Sequence, residues 1–392
     1  MSAGISPIGF GDAIALTQAL VKIDSRNPTL CPGSPGEAAI AGALGDTLSA
    51  WGFFVEVAEV QAGRPNLIAR IGPAKAPALM FAGHLDTVGV EGMTHAPFDA
   101  AIADDRIYGR GSADMKAGLA VMCAAAALAH ADAGRANRQI IVAAVADEEY
   151  ESLGMRALVG MGVSADLAIV TEPTRLAICP AHRGFVWMDV EFTGRAAHGS
   201  RYDIGVDAIR HAGLVLAEMD ALDAGALHAR THPLLGRASL HASLIEGGIG
   251  LSTYPNSCRL SVERRTLPGE TASDAVAEMQ AACDRVRSRR PELSARVKLV
   301  AAQSASDVSA DTPVVKMVER AMAAEGLAVS IEGLSAWTDA AVLNEAGIPA
   351  ICFGPGDIAL AHAAEEFVPI EEIVKATSVM ARVARGWLAE TN

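Results

Sequence analysis

Short, nearly uninterrupted apolar runs alternate with Ala-rich stretches of helical spacing over residues 12–171, and this alternation leaves few folds open. Apolar residues recur at intervals of three and four over residues 12–21 and again over 36–51, which predicts two opening helices. Residues 66–70, 78–82 and 139–146 are apolar on both faces, as strands must be when helices cover both sides of a sheet, and 119–129 reads as a buried Ala-rich helix. The result is an α/β unit with a largely buried sheet. Its sparing use of aromatics, 4% of residues, suits helices packed closely on that sheet.

After Pro173 the texture changes. Residues 186–193 alternate apolar and polar, 206–222 form an amphipathic helix, 238–246 and 258–265 read as half-buried strands, and a helix over 272–286 and a strand over 295–300 follow. This βαββαβ order fits a small α+β sandwich inserted into the larger unit. From Pro313 the first texture resumes, with a helix to Ala324, a strand over 350–353 and a final helix over 370–388. A chain of 392 residues exceeds what one core usually supports, so two domains are expected: a discontinuous one over 1–179 and 302–392, and the insert over 180–301.

A formal net charge of -14 repels phosphate backbones and anionic lipid, which argues against a nucleic-acid or membrane-surface partner. Residues 1–23 lack a basic start followed by an apolar block, and no later stretch supplies about 18 uninterrupted apolar residues, so a soluble cytoplasmic protein is expected. The six cysteines are scattered singly, as reduced, mostly buried thiols are.

Chemistry concentrates where apolar runs stop. Ligands in open α/β sheets bind beyond the carboxyl ends of strands, and four segments stand at such ends or open a helix: Gly83-His84-Leu85-Asp86, residues 109–118, Asp147-Glu148-Glu149 and Thr171-Glu172-Pro173. In extended chain His84 and Asp86 project to one face, so His84 can bind a metal while Asp86 accepts its other ring N–H. Three glycines crowd around Asp114 before a helix, allowing close backbone approach, although Asp114 also suits a helix cap. Glu148 and Glu149 would repel each other in a low dielectric unless cations lie nearby or one is protonated. A division of labour answers this, one carboxylate binding metal and its neighbour taking the proton from an activated water. Glu172 and His362 add one oxygen and one imidazole. Together His84, Asp114, Glu149, Glu172 and His362 suit two Zn²⁺ ions sharing a carboxylate.

In order and spacing these motifs resemble the co-catalytic metallohydrolases that include acetylornithine deacetylase, succinyl-diaminopimelate desuccinylase, aminoacylases and glutamate-releasing carboxypeptidases. The likeness spans nearly the whole chain, taking in Ala197-His198-Gly199, Arg265-Thr266-Leu267-Pro268, Thr338-Asp339 and residues 353–356 with His362 and Glu366. It implies a mixed-sheet di-zinc peptidase-like catalytic domain with an inserted lid that also forms a homodimer. It further implies that Asp114 bridges two metals, His84 and Glu172 completing one site and Glu149 and His362 the other, with cobalt or manganese able to replace zinc. Glu148 would be the general base, supported by Asp86. His198 would steady the oxyanion across the dimer, Arg265 would grip a substrate carboxylate, and Ser252 and Gly354 would contact substrate. Arg264 has the opposite strand parity, so register decides which arginine faces the substrate. Ser252 stands where many relatives carry asparagine, and Trp337 where a glycine is common.

The resulting expectation is a metal-dependent hydrolase cleaving the amide bond of an N-acyl amino acid or short peptide. An aminopeptidase of the same two-metal type and a non-catalytic, metal-stabilised binding protein are the alternatives.

Overall fold

The computed structural model describes residues 8–133 and 137–390, so the reading of residues 1–23 falls partly outside the described residues. The chain divides into two compact units. The first comprises Met1–Pro180, Val308–Glu332 and Thr338–Asn392; the second comprises Ala181–Asp307 and Gly333–Trp337, against an insert expected at 180–301.

In chain order the first unit opens with α1 (Ala13–Val21), α2 (Ala38–Ala50), β1 (Phe54–Gln61), β2 (Arg64–Ile71), β3 (Ala78–His84), α3 (Ala117–Ala133), β4 (Gln139–Val145), α4 (Leu153–Gly160), β5 (Leu167–Val170) and β6 (Ile178–His182). There follow β7 (Gly184–Thr193), α5 (Ala208–Leu222), β8 (Ser239–Gly247), β9 (Ser257–Thr266), α6 (Ala272–Arg289) and β10 (Ser294–Gln303), the βαββαβ order. The chain then returns through α7 (Pro313–Ala324), α8 (Ala340–Glu345), β11 (Ala350–Cys352) and α9 (Ile370–Ala389).

The sheet of the first unit is mixed, in the order β1-β2-β4-β3-β5-β11-β6. β3 runs parallel to β4 and β5, and β5 to β11, whereas β1, β2 and β6 are antiparallel to their neighbours. Every residue of β3, β4 and β5 is buried, as their unbroken apolar sequences require. α3 is apolar on all sides and packs against α1 and α9. By length and composition Ser112–Ala133 would suffice to cross a membrane, but 94% of that window is buried inside this unit, which makes it a core helix. All six cysteines are unpaired, and five are buried.

Four elements escaped the sequence reading, α8 and α4 because six and eight residues are too few to display a period. β1 is an edge strand exposed along most of its length and broken by Glu56 and Glu59. β6 carries Pro180, which marks a strand only where the sheet pattern tolerates it.

In the second unit the antiparallel sheet β8-β9-β7-β10 packs one face against α5 and α6. Val186, Met188, Val190 and Phe192 of β7 and Leu260 and Val262 of β9 meet Ala212, Val215, Met279 and Val286. α6 begins with a capping box formed by Thr271 and Asp274. Register settles the paired arginines: Arg264 lies in the buried row, bonded to Glu270 at 2.6 Å and Glu278 at 3.2 Å, while Arg265 lies on the opposite face, paired with Glu263 and 5.6 Å above the Phe185 ring.

One close approach in the first unit sets where its strand ends lie. A Cβ at Gly118 in α3 would stand 2.1 Å from the Thr171 carbonyl oxygen, so only glycine lets this helix touch the end of β5. Gly118→Ala is expected to destabilise the first unit by about 1–3 kcal/mol through overpacking. Equilibrium urea unfolding measures this, and an unchanged midpoint would show that the contact is not limiting.

Candidate metal centre

β3 ends at His84, whose ring is 1% exposed. Its Nδ1 lies 2.9 Å from the Asp86 carbonyl oxygen and 3.7 Å from the Asp86 carboxylate. The backbone carbonyl, rather than the expected side chain, therefore holds the ring N–H. This leaves Nε2 facing Asp114, 3.0 Å from Oδ1. The Asp86 carboxylate turns instead to the backbone N–H groups of Glu148 and Glu149, at 3.1 and 3.3 Å.

Residues 109–118 fold around Asp114 with a cis peptide between Asp114 and Met115. Glu366, fully buried, accepts the N–H groups of Ala113 and Asp114 at 3.0 and 3.2 Å and pairs with Arg110 at 2.5 Å. Two N–H donors and a guanidinium thus anchor the loop from beneath. Asp114 Oδ2 reaches His362 Nε2 at 3.6 Å. His362 sits on a loop after β11 with φ of +62° and also lies 3.0 Å from Glu149 Oε2.

Two triads of donor atoms result. His84, Asp114 and Glu172 form one, Asp114, Glu149 and His362 the other, each set lying within 4.8 Å. Asp114 belongs to both. The Glu148 carboxylate, 10% exposed, approaches His84 Nε2 at 4.0 Å and enters neither triad.

The electrostatics explain what such a cluster needs. Burial and the neighbouring carboxylates hold Glu148 and Glu172 well above the ordinary carboxylate range and raise Glu149 as well. Burial opposes a charged His84, but Asp114 outweighs it and holds that imidazole well above its usual value; Glu149 does the same for His362, raising it to about 9. Asp114 moves the other way, lowered by His84 against the effect of burial. Glu149 Oε1 and Glu172 Oε1 are buried with no hydrogen-bond partner. Unpartnered buried oxygens, crowded carboxylates and two imidazoles make a donor set that fits divalent cations of the zinc type.

Other sequence candidates lie elsewhere. Gly354 donates its N–H to Thr174 Oγ1, and a Cβ there would meet the Glu172 carbonyl oxygen at 2.6 Å, so this glycine lets residues 353–356 lie against the segment bearing Glu172. In the second unit His198 and Ser252 are exposed, and His198 Nδ1 is 2.9 Å from Ser200 Oγ. Trp337 packs edge-on to Phe185 and His182 there. Asp339, buried beside Ser152 and pushed up to about 7 by that burial, belongs to the first unit and faces Glu148 and Glu172 electrostatically. Asp339 and Glu366 belong to the resemblance but drew no role from it, because a single acidic residue carries no period. Asn27 and Arg64, which support the 147–153 turn, gave no signal at all.

The family model "Peptidase family M20/M25/M40" matches residues 80–386. A curated relative, acetylornithine deacetylase of Myxococcus xanthus, is 31% identical over 330 residues, covering 81% of this chain and 82% of its own. Among solved structures, a tripeptidase from Staphylococcus aureus superposes with a TM-score of 0.82 at 21% identity, covering 98% of this chain and 100% of its own. A metallo-carboxypeptidase from Sulfolobus solfataricus gives 0.80 at 17% identity, covering 97% and 100%. With two triads sharing one aspartate inside a mixed α/β unit and a family match over most of its length, the chain belongs to peptidase family M20/M25/M40 and is a metal-dependent hydrolase of amide bonds.

Proposed function

We propose that the enzyme removes the acyl group from an N-acyl amino acid, or cleaves a short peptide at its carboxylate end, with Glu148 as general base. The observation that carries this reading is the place of Asp114 in both triads, with a third acid, Glu148, beside them but outside both. The triads would hold two divalent cations, zinc foremost, with cobalt or manganese as substitutes. When bound, such cations lower the pKa of a water towards about 7 and polarise the scissile carbonyl. Glu148, its proton affinity raised by burial, takes the proton from the attacking water and returns it to the leaving amine. Asp86 fixes the backbone beneath it, and its carbonyl selects the His84 tautomer.

Arg265 is the proposed grip on the substrate carboxylate, with Ser252 and Gly354 contributing to the pocket and His198 steadying the oxyanion from a second copy of the chain. A homodimer through the second unit has support in the exposed edge strand β8, where Leu244 and Ile245 are 61% and 53% exposed. Six unpaired cysteines suit a reducing compartment, so the cytoplasm is the proposed location. The relative named acetylornithine deacetylase favours an acylated amino acid as substrate. A structural neighbour named an aminopeptidase, from Bacillus cereus, supports a second reading in which a free amino terminus is recognised. Rates on N-blocked and free peptides separate the two.

The central test is Glu148→Gln. It should keep both metals by elemental analysis while turnover of a panel of N-acyl amino acids and dipeptides falls by at least about 100-fold, the lower range for a positioned acid–base. Turnover near that of the parent would remove Glu148 from its role.

Metal uptake should depend on pH in a definite direction. In the metal-free protein His84 and His362 hold protons above the usual imidazole range, His362 to about 9, and a cation must displace them. Affinity for zinc should therefore weaken as pH falls and strengthen until pH about 9, with on the order of one proton or more released at neutral pH. Titration calorimetry in buffers of differing ionisation heat reads this directly. A flat affinity over that interval would take the imidazoles out of the ligand set.

The two arginines should separate cleanly. Arg265→Met should raise KM for carboxylate-bearing substrates at least about tenfold with little loss of stability, the size of one charged contact. Arg264→Met leaves Glu270 and Glu278 without their buried partner and should cost about 3 kcal/mol of stability. Steady-state kinetics and urea unfolding of both variants decide between them.

A further inference from the structure

The turn carrying Glu148 and Glu149 is held from behind by a buried line of polar groups that runs away from the triads. Asp86, whose Oδ1 takes the Glu148 N–H, has on Oδ2 both the Glu149 N–H and Asn27 Nδ2, the latter at 2.8 Å. The same Asn27 nitrogen lies 3.0 Å from Asp147 Oδ1, and its carbonyl oxygen accepts the Thr29 N–H at 3.0 Å, which fixes the orientation of the amide. Arg64 Nη1 reaches that Asp147 oxygen at 2.9 Å, while its Nε and Nη2 clamp Glu37 at 2.9 and 2.5 Å. Asn27, Glu37, Asp86 and Asp147 are fully buried and Arg64 is 4% exposed.

Asp147 is the bend of the turn, at φ of +68°, a conformation that aspartate accepts more readily than most residues. Its Oδ2 accepts the N–H groups of Glu151 and Leu153, so its carboxylate organises both ends of the bend. Asn27 is a neutral group with two N–H donors, which lets it tie two carboxylates together without adding a charge. Arg64 supplies the compensating positive charge for a line holding three acids. Asp86 is where this line meets the reaction, because its carbonyl holds His84 and its carboxylate holds Glu148.

We infer that Asn27 and Arg64 are positioning residues for the general base, setting through Asp147 and Asp86 the place of the Glu148 backbone relative to His84. The inference rests on the reading of Glu148 as base. A displacement of about 1 Å at a reacting group costs up to about 100-fold in rate, so a support without contact to substrate can still govern kcat.

The test uses the full-length, zinc-loaded enzyme. Asn27→Leu keeps the volume and removes both N–H groups; Arg64→Met removes the charge and Arg64→Lys restores it. Asn27→Leu and Arg64→Met are expected to lower kcat about 10- to 100-fold with KM within about threefold and metal content unchanged. Arg64→Lys is expected to recover most of the kcat lost in Arg64→Met. Should Asn27→Leu fail to fold, Asn27→Ser, which keeps one hydroxyl donor, takes its place with the same expectation. Unchanged kcat with only a lower unfolding midpoint, or a loss of kcat matched by loss of metal, would make the line purely structural and overturn the inference. An inactive Glu148→Gln beside a normal Asn27→Leu sinks this inference alone, whereas an active Glu148→Gln sinks the reading beneath it.

Discussion

A single carboxylate lying between two imidazoles organises this molecule. Asp114 reaches His84 at 3.0 Å and His362 at 3.6 Å, yet these residues come from a strand end, a glycine-rich loop and a loop near the C-terminus. No local interaction could bring them together. The fold has to deliver each one and keep like charges close, which burial alone would oppose by loading the carboxylates with protons. The positions are therefore over-determined: Glu366 and Arg110 grip the Asp114 loop, the Asp86 carbonyl grips His84, and the Asp86 carboxylate grips the Glu148 turn.

Delivery depends on the core. β3, β4 and β5 are buried on both faces and run parallel, so their carboxyl ends open on the same edge of the sheet. α3 presses on that edge through Gly118, and the Asp114 loop leads directly into it. A centre of this kind gains from strand ends because side chains carried by a packed sheet are held more precisely than side chains on free loops.

Much of this was legible in the sequence because chemistry starts where an apolar run stops. His84, Glu148 and Glu149, and Glu172 each follow a run whose burial the sequence announces, and Asp114 stands just before the long buried helix α3. His362 lies on a loop with no period, so the sequence offered it only as a further imidazole, and its pairing with Glu149 in one site came from resemblance. The sequence offered the Asp86 side chain as the partner of His84, while the fold supplies the Asp86 carbonyl; residue spacing does not distinguish a backbone acceptor from a side-chain one. Strand parity separated Arg264 from Arg265 but could not say which faced inward, since register is set by pairing with β7 and β8. Asn27 and Arg64 were invisible because a lone polar residue in a loop or at a strand start looks the same whether it faces water or a buried acid.

The packing of α3 against α9 also bears on synthesis. Translation at about 5–20 residues per second separates the emergence of these two helices by roughly 10–50 seconds, because 236 residues lie between Ala133 and Ile370. Throughout that interval α1 and the strands beneath cover only part of a helix that has no water-compatible side. A chain cut just short of α9 would leave the α9-facing side of α3 open to water, an apolar surface that favours aggregation over partial activity.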